Sequence, residues 1–309
     1  MDRTTQSPKL GLRLNSWLVG MLVSLLGIIG VLVGPANATP FFSTGNPDGA
    51  MGVASRPPQP GVLEIEAADD FLLSSPMSID HASFTGLLPS GVPLSSIGPV
   101  DVELYHIFPT DSVTPPDGRV PTRMNSPSDV EFDDRSTTAG TMSFTATSVN
   151  PSFHVANTVV NGINPVPNQT TMGEGPANGN EVVFDAAFTT PFDLPAGHYF
   201  FVPQVQLPAG SDFLWLSAPR PIVAPGTPFN GDLQAWVRNE NLAPDWLRVG
   251  ADIVGGTVTF NETFSLSGTV TPEPSSLLLF GTGTASFALL RCRRSKRQKT
   301  GSLNTRAAS

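Results

Sequence analysis

Val100-Asp101-Val102-Glu103-Leu104-Tyr105-His106-Ile107-Phe108 alternates apolar and polar side chains, with Val100, Val102 and Leu104 on one face. A period of two is that of a strand with one buried face. His198-Tyr199-Phe200-Phe201-Val202 and Phe213-Leu214-Trp215-Leu216 are apolar on both faces, which predicts central, buried strands. Outward from these, residues 62–66, 70–73, 78–85, 143–147, 181–185, 257–260 and 264–266 read as further strands, punctuated by Gly, Pro, Asn and Asp. Between residues 62 and 270 no stretch keeps a helical period over three turns, and residues 233–237 read at most as one short turn. Many short strands without crossover helices predict an all-β, antiparallel, jelly-roll-like β-sandwich. Leu88-Pro89-Ser90-Gly91, Leu194-Pro195-Ala196-Gly197 and Leu207-Pro208-Ala209-Gly210 read as turns into strands, Pro setting φ and Gly taking the positive φ.

The 309 residues carry a net charge of −9, and that charge is unevenly divided. Residues 39–271 contain no lysine; seven arginines face 24 acids, a net −17. Residues 1–38 hold Arg3, Lys9 and Arg13 against Asp2, and residues 272–309 hold seven cations against Glu273. Positive ends around an acidic middle predict a chain exported between two cytosol-facing ends. The acidic middle excludes nucleic acid, whose phosphates need cations. One cysteine excludes a disulfide framework and cysteine-pair zinc sites.

At the N-terminus, a cationic start, an apolar run over residues 17–34, Gly34-Pro35 and the small pair Ala36 and Ala38 before Thr39 have the layout of a secretory signal peptide. The run is also near spanning length, so an uncleaved anchor is the alternative. Signal cleavage implies the secretion translocon and signal peptidase as partners.

At the C-terminus, Thr271-Pro272-Glu273-Pro274-Ser275-Ser276 precedes an apolar stretch over residues 277–290 and then Arg291-Cys292-Arg293-Arg294. The two prolines keep the motif extended. A helix from Ser275 to Leu290 would rise about 24 Å against a ~30 Å hydrocarbon core. Motif, span and basic cluster, in that order, resemble the PEP-CTERM sorting signal of exopolysaccharide-producing Gram-negative bacteria. The resemblance implies recognition by an exosortase in the inner membrane, cleavage near Pro272, Glu273 and Pro274, and delivery to the cell surface or release. A plain single-pass anchor is the other reading. Cys292, beside the membrane end and its cations, is either an acylation site or a free thiol.

The expected organisation is a signal peptide (1–38), a Gly/Pro-rich linker (39–61), a β-sandwich ectodomain (62–270), the sorting signal (271–294) and a basic cytoplasmic tail (295–309). An N-terminal signal helix and a C-terminal transmembrane helix thus flank the sandwich. Asp69-Asp70-Phe71, Ala82-Ser83-Phe84-Thr85-Gly86 and the later Leu194–Tyr199 segment look like secreted bacterial β-sandwich modules related to carbohydrate-binding and galactose-binding-like domains, a likeness that implies fold class only. The long loops at 109–128 and 161–180 are where a binding site would sit.

The residues offer little catalytic chemistry. His81, His106, His154 and His198 are isolated in sequence, with no paired ligand spacing and no nucleophile elbow. Asp129, Glu131 and Asp133 share one strand face, opposite Val130 and Phe132; they read as a solvated face or, less simply, as calcium ligands. Asp69-Asp70 is a second calcium candidate. Trp215 reads as core, whereas Trp236 and Trp246, near Asn239, Asn241 and Asp245, are candidates for a glycan surface. The expected function is therefore an exported, non-catalytic surface or matrix-associated protein without a cofactor. The alternatives are a glycan-binding module, with extracellular polysaccharide as partner, and a calcium-dependent hydrolase.

Overall fold

The computed structural model describes residues 39–108, 123–163 and 170–271. The expected signal and transmembrane helices, together with Ala36, Ala38, Pro272, Glu273, Pro274, Arg291, Arg293 and Arg294, lie outside the described residues. Among the described residues no helix is long and apolar enough to cross a membrane.

The first eight strands are β1 (Phe42–Ser43), β2 (Met51–Ala54), β3 (Ile65–Leu73), β4 (Met77–Pro89), β5 (Val100–Ile107), β6 (Pro127–Ser136), β7 (Met142–Val155) and β8 (Asn157–Val159). They are followed by β9 (Ala177–Leu194), β10 (Gly197–Val205), β11 (Leu214–Ala218), β12 (Trp236–Asn239), β13 (Leu247–Arg248), β14 (Asn261–Glu262) and β15 (Phe264–Val270). The spine of the first sheet is β4. One edge of β4 pairs antiparallel with β9, which pairs in turn with β7. Its other edge is shared end to end, β15 covering residues 77–84 and β11 covering Gly86 and Leu87. β1 adds to β15; β2 and β14 add to β11; β8 adds to β2. The second sheet, in the order β13-β12-β3-β10-β5-β6, is antiparallel throughout.

Strand periodicity explains how the two sheets meet. Ile65, Ala67, Phe71 and Leu73 of β3, Val100, Val102 and Leu104 of β5, and Tyr199, Phe201 and Val205 of β10 share one phase and enter one core with Phe84, Phe184, Trp215 and Phe264 of the first sheet. Phe201 stacks on Phe264 across the interface, with centroids 5.0 Å apart. Trp215 is fully buried, as expected of a doubly apolar strand, and its indole N–H donates to the Thr263 carbonyl at 2.8 Å. Gly91 and Gly210 take the positive φ their turns require, +89° and +83°, whereas Gly197 opens β10 without it.

Four expectations are corrected. Residues 39–61 are not a linker: β1 and β2 are integral strands, and all four residues of β2 are buried between β11 and β8. Composition misleads there because Gly52 is needed for close packing; a Cβ at that position would lie 3.2 Å from Leu214 Cβ. The pairing of β2 with β8 is parallel, so the first sheet is mixed rather than purely antiparallel. Residues 257–260 are loop, and the strand there is β14, held by two pairs to β11. Within residues 233–237, no helical turn forms, and Trp236 begins β12; a short π-helix, Val249–Val254, follows β13.

Gly86 sits on β4 where its partner changes from β15 to β11, and a Cβ there would collide with the buried Phe213 ring. Gly86→Ala should therefore lower unfolding free energy by about 1–3 kcal/mol, the range for overpacking a tight core. Urea denaturation checks this; an unchanged midpoint would show that the Phe213 ring has room to move.

Candidate functional site

The outer face of the second sheet is set by the alternate phase of the same strands. Ala68, Tyr105, Phe200, Val202 and Trp236 point outward, and Trp246, from the loop after β12, folds back over them. Trp236 and Trp246 are therefore 3 % and 2 % exposed, a small second core and not a glycan platform. The apolar area of two indoles outweighs the polar neighbours that suggested a surface.

Arg238 lies at the centre of this face. Its Nη2 donates to Glu66 Oε1 (2.8 Å) and to the Tyr105 hydroxyl (2.9 Å), and its Nε donates to Glu66 Oε2. The guanidinium lies 4.3 Å from the Trp246 ring centroid, a cation–π contact. The Tyr105 oxygen is 2.6 Å from Glu66 Oε1 and 3.0 Å from Glu103 Oε2. Burial, then the charges of Glu66 and Glu131, push Glu103 up to about 9. At neutral pH Glu103 thus keeps its proton and can donate to Tyr105, whose own proton serves Glu66. Glu131 is raised to about 7 by burial, then by Asp134 and Glu66. Glu66 and Glu103 form a close carboxyl pair, an arrangement that acid–base chemistry can use. Here, however, one is locked to arginine and both are bridged by a tyrosine.

The acidic strand β6 is turned the other way from the solvated face expected of it. Val130 and Phe132 are exposed, while Asp129, Glu131 and Asp133 are partly covered. Asp129 pairs with Arg123, and Asp133 takes Arg135 at 2.7 and 3.1 Å. With partners this close, inward acids cost less than bare burial. The three carboxylates do not converge on a common centre. Among the described residues, no set of three or more His, Cys, Asp or Glu is arranged to hold a metal ion.

Asp69 and Asp70 point to opposite faces. Asp70, on the outer face, accepts the Leu233 N–H at 3.0 Å and meets His198 Nε2. Asp69 enters the core phase beside Ala67 and Phe71, where its Oδ2 accepts the Glu262 N–H at 2.8 Å. Among the described residues its Oδ1 has no hydrogen-bond partner, and neither do the two carboxyl oxygens of Glu262. Both residues are wholly buried, and burial first of all raises both well above the usual carboxylate range; for Asp69, the neighbouring Asp70 adds to this.

At one end of the sandwich lies a cleft of about 520 Å³, built by the turns around residues 56–63, 160–163, 209–212 and 239–241. Gln59, Asn161, Asn239 and Asn241 supply amides around its wall. Sequence reasoning places binding in the long loops at 109–128 and 161–180, but it misses this cleft because four separate turns make it. Glu66, Glu103 and Arg238 were readable as outward polar positions of alternating strands. Asp69 was readable too, as an acid in an apolar phase; Glu262 has no such local signal.

The all-β unit, followed directly by Thr271-Pro272-Glu273-Pro274, defines a class: a β-sheet domain joined to a C-terminal sorting signal. The family model for the PEP-CTERM protein-sorting motif matches residues 270–294, and the chain carries that sorting domain. The motif implies recognition by an exosortase in the membrane and supports export. Comparison with curated proteins and with solved structures gives no match.

Proposed function

We propose that this chain is an exported, non-catalytic protein of the cell surface or extracellular matrix, passed through the translocon, trimmed by signal peptidase after Ala38 and released by an exosortase. The sorting motif at residues 270–294, adjoining the last strand, carries the reading. The acidic, lysine-free composition of the exported part supports a role away from polyanions. The internal commitment of Arg238, Glu66 and Tyr105 supports a structural rather than catalytic use of the second sheet's outer face.

Intact-mass measurement of the protein from a host with and without its exosortase tests this. The expected exported species begins at Thr39 and lacks Arg291–Ser309. The exosortase-deficient host should retain the full tail in its membrane fraction. An exported protein with an intact tail would refute the proposal in favour of a plain anchor.

A further inference from the structure

We propose that the cleft at the end of the sandwich binds a neutral glycan segment through hydrogen bonds. Its volume, about 520 Å³, lies within the roughly 300–1,000 Å³ of small-molecule sites. The two charged side chains of its wall, Arg56 and Asp212, pair with each other, and Arg56 Nε also donates to the Leu63 carbonyl at 3.2 Å. In a region of net charge −17 the cleft is thus internally neutral. Charged ligands gain no counter-charge there, and a peptide terminus finds no anchor.

The side chains of Gln59, Asn161 and Asn239 line the wall with Ser211, and an amide carries both donors and an acceptor, the complement of a sugar's hydroxyl groups. Two amides are oriented in advance: Asn239 Oδ1 accepts the Leu242 N–H at 3.0 Å, and Gln59 Nε2 donates to the Leu207 carbonyl at 3.4 Å. Such holding lowers the ordering cost of binding. Val62 and Val160 give the apolar surface on which the C–H face of a sugar ring can rest. The Trp236 and Trp246 indoles take no part.

The test is affinity electrophoresis of the full-length chain in gels containing neutral glucan, galactan or mannan, with alginate as the polyanionic control. Retardation is expected in at least one neutral gel and not in alginate. Ala209→Trp, which fills the cleft, should abolish it; Asn161→Ala, on an exposed turn, should weaken it at least threefold while leaving the melting temperature unchanged. Asn161→Ala decides the matter if Ala209→Trp fails to fold. No retardation in any neutral gel, retardation indifferent to both variants, equal retardation in alginate, or competition by a neutral Asn/Ser-rich peptide would each overturn the proposal. Because the readout is made on purified protein, its failure is separate from any failure of exosortase sorting.

Discussion

Glu262→Gln and Asp69→Asn should each make the domain's stability less dependent on pH, and the double variant should remove both contributions, leaving the slope that Glu103 and Glu131 impose between pH 5 and 8. Both acids are wholly buried and held above the usual carboxylate range. In the unfolded chain they ionise near pH 4, whereas in the fold burial makes them hold their protons to higher pH. The unfolded state therefore binds fewer protons above that pH, and stability falls as pH rises. The stabilising contribution is complete below the unfolded value and is lost as pH climbs toward the folded value. Each group imposes a slope of about 1.4 kcal/mol per pH unit in that window. Urea titrations at unit pH steps check this. A wild-type profile that is flat or rises from pH 5 to 8 would show that the two carboxyls ionise in place, against the cost of burying unpaired charge.

The second large effect is expected at Arg238. Arg238→Met removes the donor that satisfies both Glu66 oxygens and leaves that carboxylate at 4 % exposure among Tyr105, Glu103 and Trp246. A buried pair broken on one side costs about 3–5 kcal/mol. Glu66→Gln combined with Arg238→Met should recover most of this, since no uncompensated charge remains. A double-mutant cycle by chemical denaturation gives the coupling directly. Additive losses would mean that the arginine acts mainly by packing on Trp246.

Much of this fold is legible in particular residues. The alternation of residues 100–104 and the doubly apolar runs of β10 and β11 place three strands and their burial, because side-chain period and solvent contact are local properties. The PEP-CTERM motif is legible for the same reason: order and spacing along the chain carry it. What escapes is set by distant partners. Gly52 and Val53 become strand only because β11 and β8 lie on either side of them. Trp246 becomes core only because its loop folds back onto Tyr105, whose ring centroid lies 5.3 Å from its own. The cleft needs four turns from four parts of the sequence, and no window along the chain contains it.

The pairing of β1 with β15 joins the first strand made to the last. Thr44 Oγ1 donates to the Phe264 carbonyl across 220 residues of chain, and among the described residues β1 pairs with β15 alone. Contacts of such sequence separation form late, so the first sheet stays unclosed until synthesis has passed β15. Among the described residues the last backbone bond along the chain runs from the Thr271 N–H to the Pro76 carbonyl at 2.9 Å, one residue before Pro272. The last strand is therefore tied to the start of β4 as far as Thr271, so that pairing is fastened at the residue that precedes Pro272.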